Sequence, residues 1–101
     1  MDTFWITFRL NDDAIYEERY NQLHMAVCDM ADGKYWPEPT SFFAFLSDAP
    51  VSAIVQRLKA AINTKTDVVV LGSFQKKTCR IIGNLQDRDL LEMVDFAKKE
   101  D

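Results

Sequence analysis

Thr3-Phe4-Trp5-Ile6-Thr7-Phe8-Arg9-Leu10 puts Phe4, Ile6, Phe8 and Leu10 on one side of an extended chain and Trp5, Thr7 and Arg9 on the other. Successive strand side chains point to opposite faces, so the stretch predicts a β-strand with one core face, in which Arg9 is the only charge. Asn11, Asp12 and Asp13 follow as capping residues, and Tyr16, Tyr20, Leu23 and Val27 then recur at helical spacing. This predicts a helix from about Ala14 to Ala31. Asp32-Gly33 ends it. Lys34 to Pro39 has room for a short strand only, because Pro37 and Pro39 carry no N–H for a ladder.

Thr40 to Leu46 reads as a second strong strand, with Phe43 and Phe45 on one face and Phe42, Ala44 and Leu46 on the other, both faces asking for cover. Ser47 or Asp48 caps a second helix with Pro50 in its first turn and a stripe of Val51, Ile54, Val55, Leu58 and Ile62, ending near Asn63. Asp67 leads into Val68-Val69-Val70-Leu71, a β-branched run suited to a strand covered on both sides. After a turn at Gly72 to Lys77, Thr78 to Ile82 predicts a short further strand, and Leu85 to Ala97 an amphipathic helix carrying Leu90, Leu91, Val94 and Ala97. The order predicts a single α+β domain over residues 1–101. Its plan is a ferredoxin-like antiparallel sheet, strand-helix-strand-strand-helix-strand, with an extra carboxyl-terminal strand and a helical extension over 84–101.

At 101 residues with 48% hydrophobic and 12% aromatic side chains, the chain can bury one core. Twelve Lys and Arg against 16 Asp and Glu give a net charge of −4, which argues against a protein built on unspecific phosphate neutralisation. Cys28 and Cys79 lack the spacing of a zinc site or a disulfide framework and point to a reducing, cytoplasmic setting. The amino-terminal residues lack the basic and apolar regions of a signal peptide, and no stretch is long enough to span a membrane.

In a plan with both helices on one face, the other face normally alternates polar residues. Trp5, one face of Phe42 to Leu46 and one face of Val68 to Leu71 instead form an apolar surface that needs cover. The candidates are the tail helix, a second copy of the chain, or the bases of a nucleic acid. A second copy aided by the tail is the reading placed first.

Most of the chain resembles the small ferredoxin-fold proteins of the CRISPR-associated protein two and SinR-like group, whose plan the toxin-like VapD proteins share. The resemblance rests on Phe4 to Leu10, Trp36, Thr40 to Leu46 followed by Ser47-Asp48-Ala49-Pro50, and Leu58 to Ile62 leading into Asp67 to Leu71. It implies homodimerisation. In that group the first strand ends in an aromatic followed by an acid, and the acids of two subunits hold a divalent metal for phosphodiester cleavage. Here Phe8 is followed by Arg9, a permanent cation that would repel a metal ion, so the resemblance comes without its nuclease site. Asp12 and Asp13 lie past the strand end, where capping explains them.

His24 is the only histidine, which leaves no His pair and no His-containing triad partner set, and it reads as a surface residue. Cys28 reads as a small core residue, while Cys79 between Lys77 and Arg80 would have a lowered pKa if exposed. Gly33, Gly72 and Gly83 are isolated, so no glycine-rich phosphate cradle exists, and no cofactor or metal is called for. Lys76, Lys77 and Arg80 form the one basic cluster. Phe43-Ala44-Phe45-Leu46 also resembles the central-strand motif of RNA-recognition domains, although Thr40-Ser41 replaces that motif's basic-glycine start.

Three functions follow in order. The first is a non-catalytic homodimeric interaction or adaptor protein with a degenerate nuclease site, using Trp5, Arg9, Phe43 and Phe45 at its interface. The second is a single-stranded nucleic-acid binder using Trp5, Phe43 and Phe45 with Arg9, Lys76, Lys77 and Arg80. The third is a residual metal-dependent nuclease using Asp12 or Asp13.

Overall fold

In the computed structural model, which describes residues 1–100, the alternating first stretch is strand β1 (Asp2–Arg9) at the centre of the sheet. Helix α1 (Tyr16–Met30), the two-residue strand β2 (Tyr35–Trp36) and strand β3 (Phe42–Ser47) follow. Helix α2 (Val51–Ala61), strands β4 (Val68–Ser73) and β5 (Cys79–Gly83), helix α3 (Asp89–Met93) and strand β6 (Ala97–Glu100) complete the chain. The six strands form one mixed sheet in the order β2-β3-β1-β4-β5-β6, antiparallel throughout except for the parallel β5–β6 pair.

Register decides which side chains share a face. Phe4 stands opposite Phe45 and Ile6 opposite Phe43, so these four point toward α1 and α2 and meet Leu23, Val27, Ile54 and Leu58 in the core. Phe8 packs on Phe43 and edge-on to Tyr20. On the reverse face Trp5 stands opposite Ala44 and Gly72, and Thr7 opposite Phe42 and Val70.

The helices start where their turns allow. Asp13 accepts the Ile15 amide at 3.0 Å through its side chain and the Tyr16 amide through its carbonyl, which holds Ala14 and Ile15 in a turn. Consequently α1 opens at Tyr16 rather than Ala14. Pro50, extended and with no N–H to satisfy, sits as the N-cap of α2.

The tail departs from its periodicity. In place of a helix from Leu85 to Ala97 there is a five-residue helix, after which Val94 is extended and Ala97–Glu100 pairs with β5. Satisfying the free edge of β5 along a hydrogen-bonded ladder outweighs a helical pattern too short to be stable by itself. The extension over 84–101 is therefore a helix and a strand within the described residues.

One buried polar knot joins the element ends. Asp67, fully buried, accepts the amides of Asn11 and Asn63 at 2.8 and 2.9 Å and lies 3.0 Å from Nε of Arg19. Arg19 reaches on to Asp13 at 2.8 Å and to the Asn11 carbonyl at 3.0 Å. Removing the Asp67 carboxylate leaves Arg19 Nε and two amides without the carboxylate they face, so Asp67→Ala should cost roughly 3 kcal/mol, measured by urea unfolding.

Hydrogen bonds from Arg19 first, and then from Asn11, hold the Asp13 carboxyl below its ordinary value of 3.8. A group whose pKa is lower folded than unfolded contributes stability that is complete above the unfolded value and disappears as pH falls through the folded one. Stability should decline on acidification below pH 3.8, and Asp13→Asn should remove that part of the decline, as read from unfolding midpoints on either side of it.

Candidate functional site

The β5-α3-β6 unit moves outward, away from β1, whereas the α1 and α2 connections move in the opposite sense relative to their strands. The right-handed sense that parallel crossovers take would carry α3 to the face opposite α1 and α2. Ile81 and Cys79 pair with Val70 and Gly72 on that reverse face, outside the helix-side cluster, and still have 0% and 7% exposure.

The cover does not extend across the sheet. On the β1-β3-β2 side of the same face, Trp5, Phe42, Ala44 and Leu46 stay half-buried and Trp36 is 48% exposed. The indole of Trp5 lies across Gly72, where an added Cβ would fall 2.2 Å from the ring. Phe42 stacks beside Trp5 at 6.0 Å with ring planes 13° apart, and Trp36 meets Phe42 edge-on at 6.2 Å. A groove of about 400 Å³ adjoins this row, lined in part by Thr3, Trp36, Ala44 and Leu46. Three aromatic rings thus run across three strands as one apolar surface, a shape suited to a flat partner or to stacked bases.

The site residues expected from the sequence divide. Trp5 and Arg9 lie on the reverse face as predicted, Arg9 exposed at the end of β1 opposite Val68. Phe43 and Phe45 do not. They have 0% and 1% exposure beneath α1 and α2, because register locks them to Ile6 and Phe4, and Phe42 and Trp36 take the place expected of them.

The basic cluster also comes apart. Arg80 pairs with Leu71 on the helix side and its guanidinium bonds Glu100 at 2.5 Å, while Lys76 bonds Asp2 at 3.0 Å. Lys77 remains exposed at the turn. That turn sits beside the start of β1, where Phe74 donates to the Thr3 carbonyl, and Arg9 sits at the other end, about 20 Å away by strand rise. These cations do not form one surface.

The cysteines reverse their expected roles. Cys79 is buried and burial raises its thiol pKa, the opposite of activation by Lys77 and Arg80, whereas Cys28 is exposed with its sulfur 3.8 Å from His24 Nδ1. The four-residue spacing from His24 to Cys28 was the available signal for that contact. Comparison with known proteins finds no matching family model, no matching curated protein and no matching solved structure.

Because a methyl at position 72 cannot coexist with the present Trp5 indole, Gly72→Ala should displace the ring. Expected are a loss of about 1–3 kcal/mol on urea unfolding and a red shift of tryptophan emission.

Proposed function

We propose that this chain is an interaction module without turnover that pairs with a second copy of itself through the Trp5-Phe42-Trp36 face. The carrying observation is that row of three rings, left partly open on the same sheet face on which Cys79 and Ile81 are buried. A self-complementary apolar patch is the usual basis of a two-fold dimer. An acidic chain whose Lys76 and Arg80 are already engaged by Asp2 and Glu100 offers little to a polyanion, which favours the second copy over a nucleic acid.

The proposed plan is ferredoxin-like, supported by a central order of β2-β3-β1-β4 with α1 and α2 on one face and by β5, α3 and β6 as an appended unit. The further proposal of a CRISPR-associated-protein-two or SinR-like scaffold with a degenerate nuclease site is supported by exposed Arg9 at the strand end where that group carries its acid. Asp13 is a poor substitute. Both of its oxygens accept from Arg19, a cation that opposes metal binding.

Light scattering on a sizing column is expected to give twice the chain mass, and Trp36→Glu together with Phe42→Glu to give a folded monomer with unchanged far-ultraviolet circular dichroism. A wild-type monomer at every concentration overturns the dimer. A second reading, a single-strand binder, draws on the same rings, since bases stack on aromatic side chains. Oligonucleotide anisotropy that rises with wild type and is abolished in Trp36→Ala and Phe42→Ala would replace the first reading by the second.

A further inference from the structure

Away from the open face, α1 and β2 bring together the histidine, a cysteine and a buried phenol. His24 and Cys28 lie one turn apart on α1, with Nδ1 and Sγ at 3.8 Å. The imidazole is fixed by edge-on packing against Tyr35 at 5.1 Å and Phe43 at 5.5 Å, both at 88°. Its orientation toward the sulfur is therefore set by the core.

Tyr35 supplies an independent sign. Its hydroxyl oxygen is buried, makes no well-formed hydrogen bond, and interacts with the Cys28 thiol beside it. Burial first, and then its neighbour Cys28, keep the phenol protonated far above its ordinary value. A buried donor without an acceptor is costly, and a thiolate is a far better acceptor than a thiol. Ionising Cys28 would give the Tyr35 hydroxyl its acceptor and the His24 imidazole its proton.

The remaining titratable neighbours are otherwise engaged. Asp29 is held by Arg57 at 2.8 Å, Asp32 accepts the Asp48 amide at 2.9 Å, and Tyr20 lies on the Phe43 side of Tyr35 in the aromatic cluster. Cys28 itself is open to solvent.

We propose that Cys28, His24 and Tyr35 form a reactive-thiol site at which a hydroperoxide oxidises this chain. The Cys28 sulfur, its proton passed to His24, attacks one peroxide oxygen; an S–O bond forms as the O–O bond breaks. Sulfur is oxidised by two electrons to a sulfenic acid, the peroxide is reduced, and the departing oxygen takes the proton from His24 to leave as water or an alcohol. Tyr35 donates to the sulfur while it is anionic.

Hydrogen peroxide with dimedone as the sulfenic-acid trap, read by intact and peptide mass spectrometry, tests the site in the full chain. Wild type should give one adduct, at Cys28, with buried Cys79 unmodified. With an imidazole placed to take the thiol proton and a hydroxyl placed to donate to the sulfur, the neutral-pH rate should exceed that of free cysteine severalfold. His24→Gln and Tyr35→Phe should each bring it back toward the free-thiol rate. Tyr35→Phe keeps the ring that packs on His24 and Phe43, so it reports on the hydroxyl alone. A wild-type rate equal to that of free cysteine, or one that neither variant changes, overturns the proposal.

Discussion

The contact between Arg19 and Asp67 ties together the ends of β1, α2 and β5, the start of β4 and the first turn of α1. Asp67 stands just before β4, and its carboxylate gathers the amide that follows β1, the amide that follows α2 and the guanidinium of α1. Its carbonyl accepts the Asn84 amide beyond β5 at 2.7 Å and lies 2.1 Å from where a Cβ on Gly83 would be. Gly83 has φ of +99°, a conformation glycine adopts freely, so this crowding and this backbone together exclude a side chain there. Five segments converge on one residue.

That convergence has an electrostatic logic. A buried carboxylate alone would be expensive, but here two backbone amides, the Thr66 hydroxyl and a guanidinium surround it. Arg19 is in turn shared with half-exposed Asp13 and with the Asn11 carbonyl. Such a knot specifies one arrangement of strand ends because no shifted register would satisfy all its members at once. With β1 fixed between β3 and β4, the alternation of its side chains assigns Phe4, Ile6 and Phe8 to the core and leaves Trp5 and Arg9 on the far side.

Strand alternation was legible in the sequence wherever a core face existed, which is why Thr3 to Leu10 and Phe42 to Leu46 were read with the correct faces. Matching the faces of two strands required register, which is a long-range property. Phe43 and Phe45 were therefore assigned to the same surface as Trp5, although pairing with Ile6 and Phe4 sends them to the helices. The ion-pair knot was equally hidden, since Arg19 and Asp67 are separated by about half of the chain and look like ordinary charges. The basic cluster failed for a related reason: Lys76 and Lys77 belong to the turn before β5 whereas Arg80 lies within it, and Glu100 claims Arg80 through a strand where periodicity predicts a helix.

The same tail is too short to cover the aromatic row. Five helical residues span about 7.5 Å, less than two strand spacings of about 4.8 Å. From the β5–β6 edge, α3 cannot reach β3, which lies three strands from β5, about 14 Å away, or β2 beyond it. A helix running from Leu85 to Ala97 would span about 20 Å and could have crossed to Phe42. By ending at Met93 and feeding β6, the chain closes the edge of β5 and leaves Trp5 and Phe42 half-buried and Trp36 exposed. The open aromatic row is thus a direct consequence of where the last residues found their hydrogen bonds.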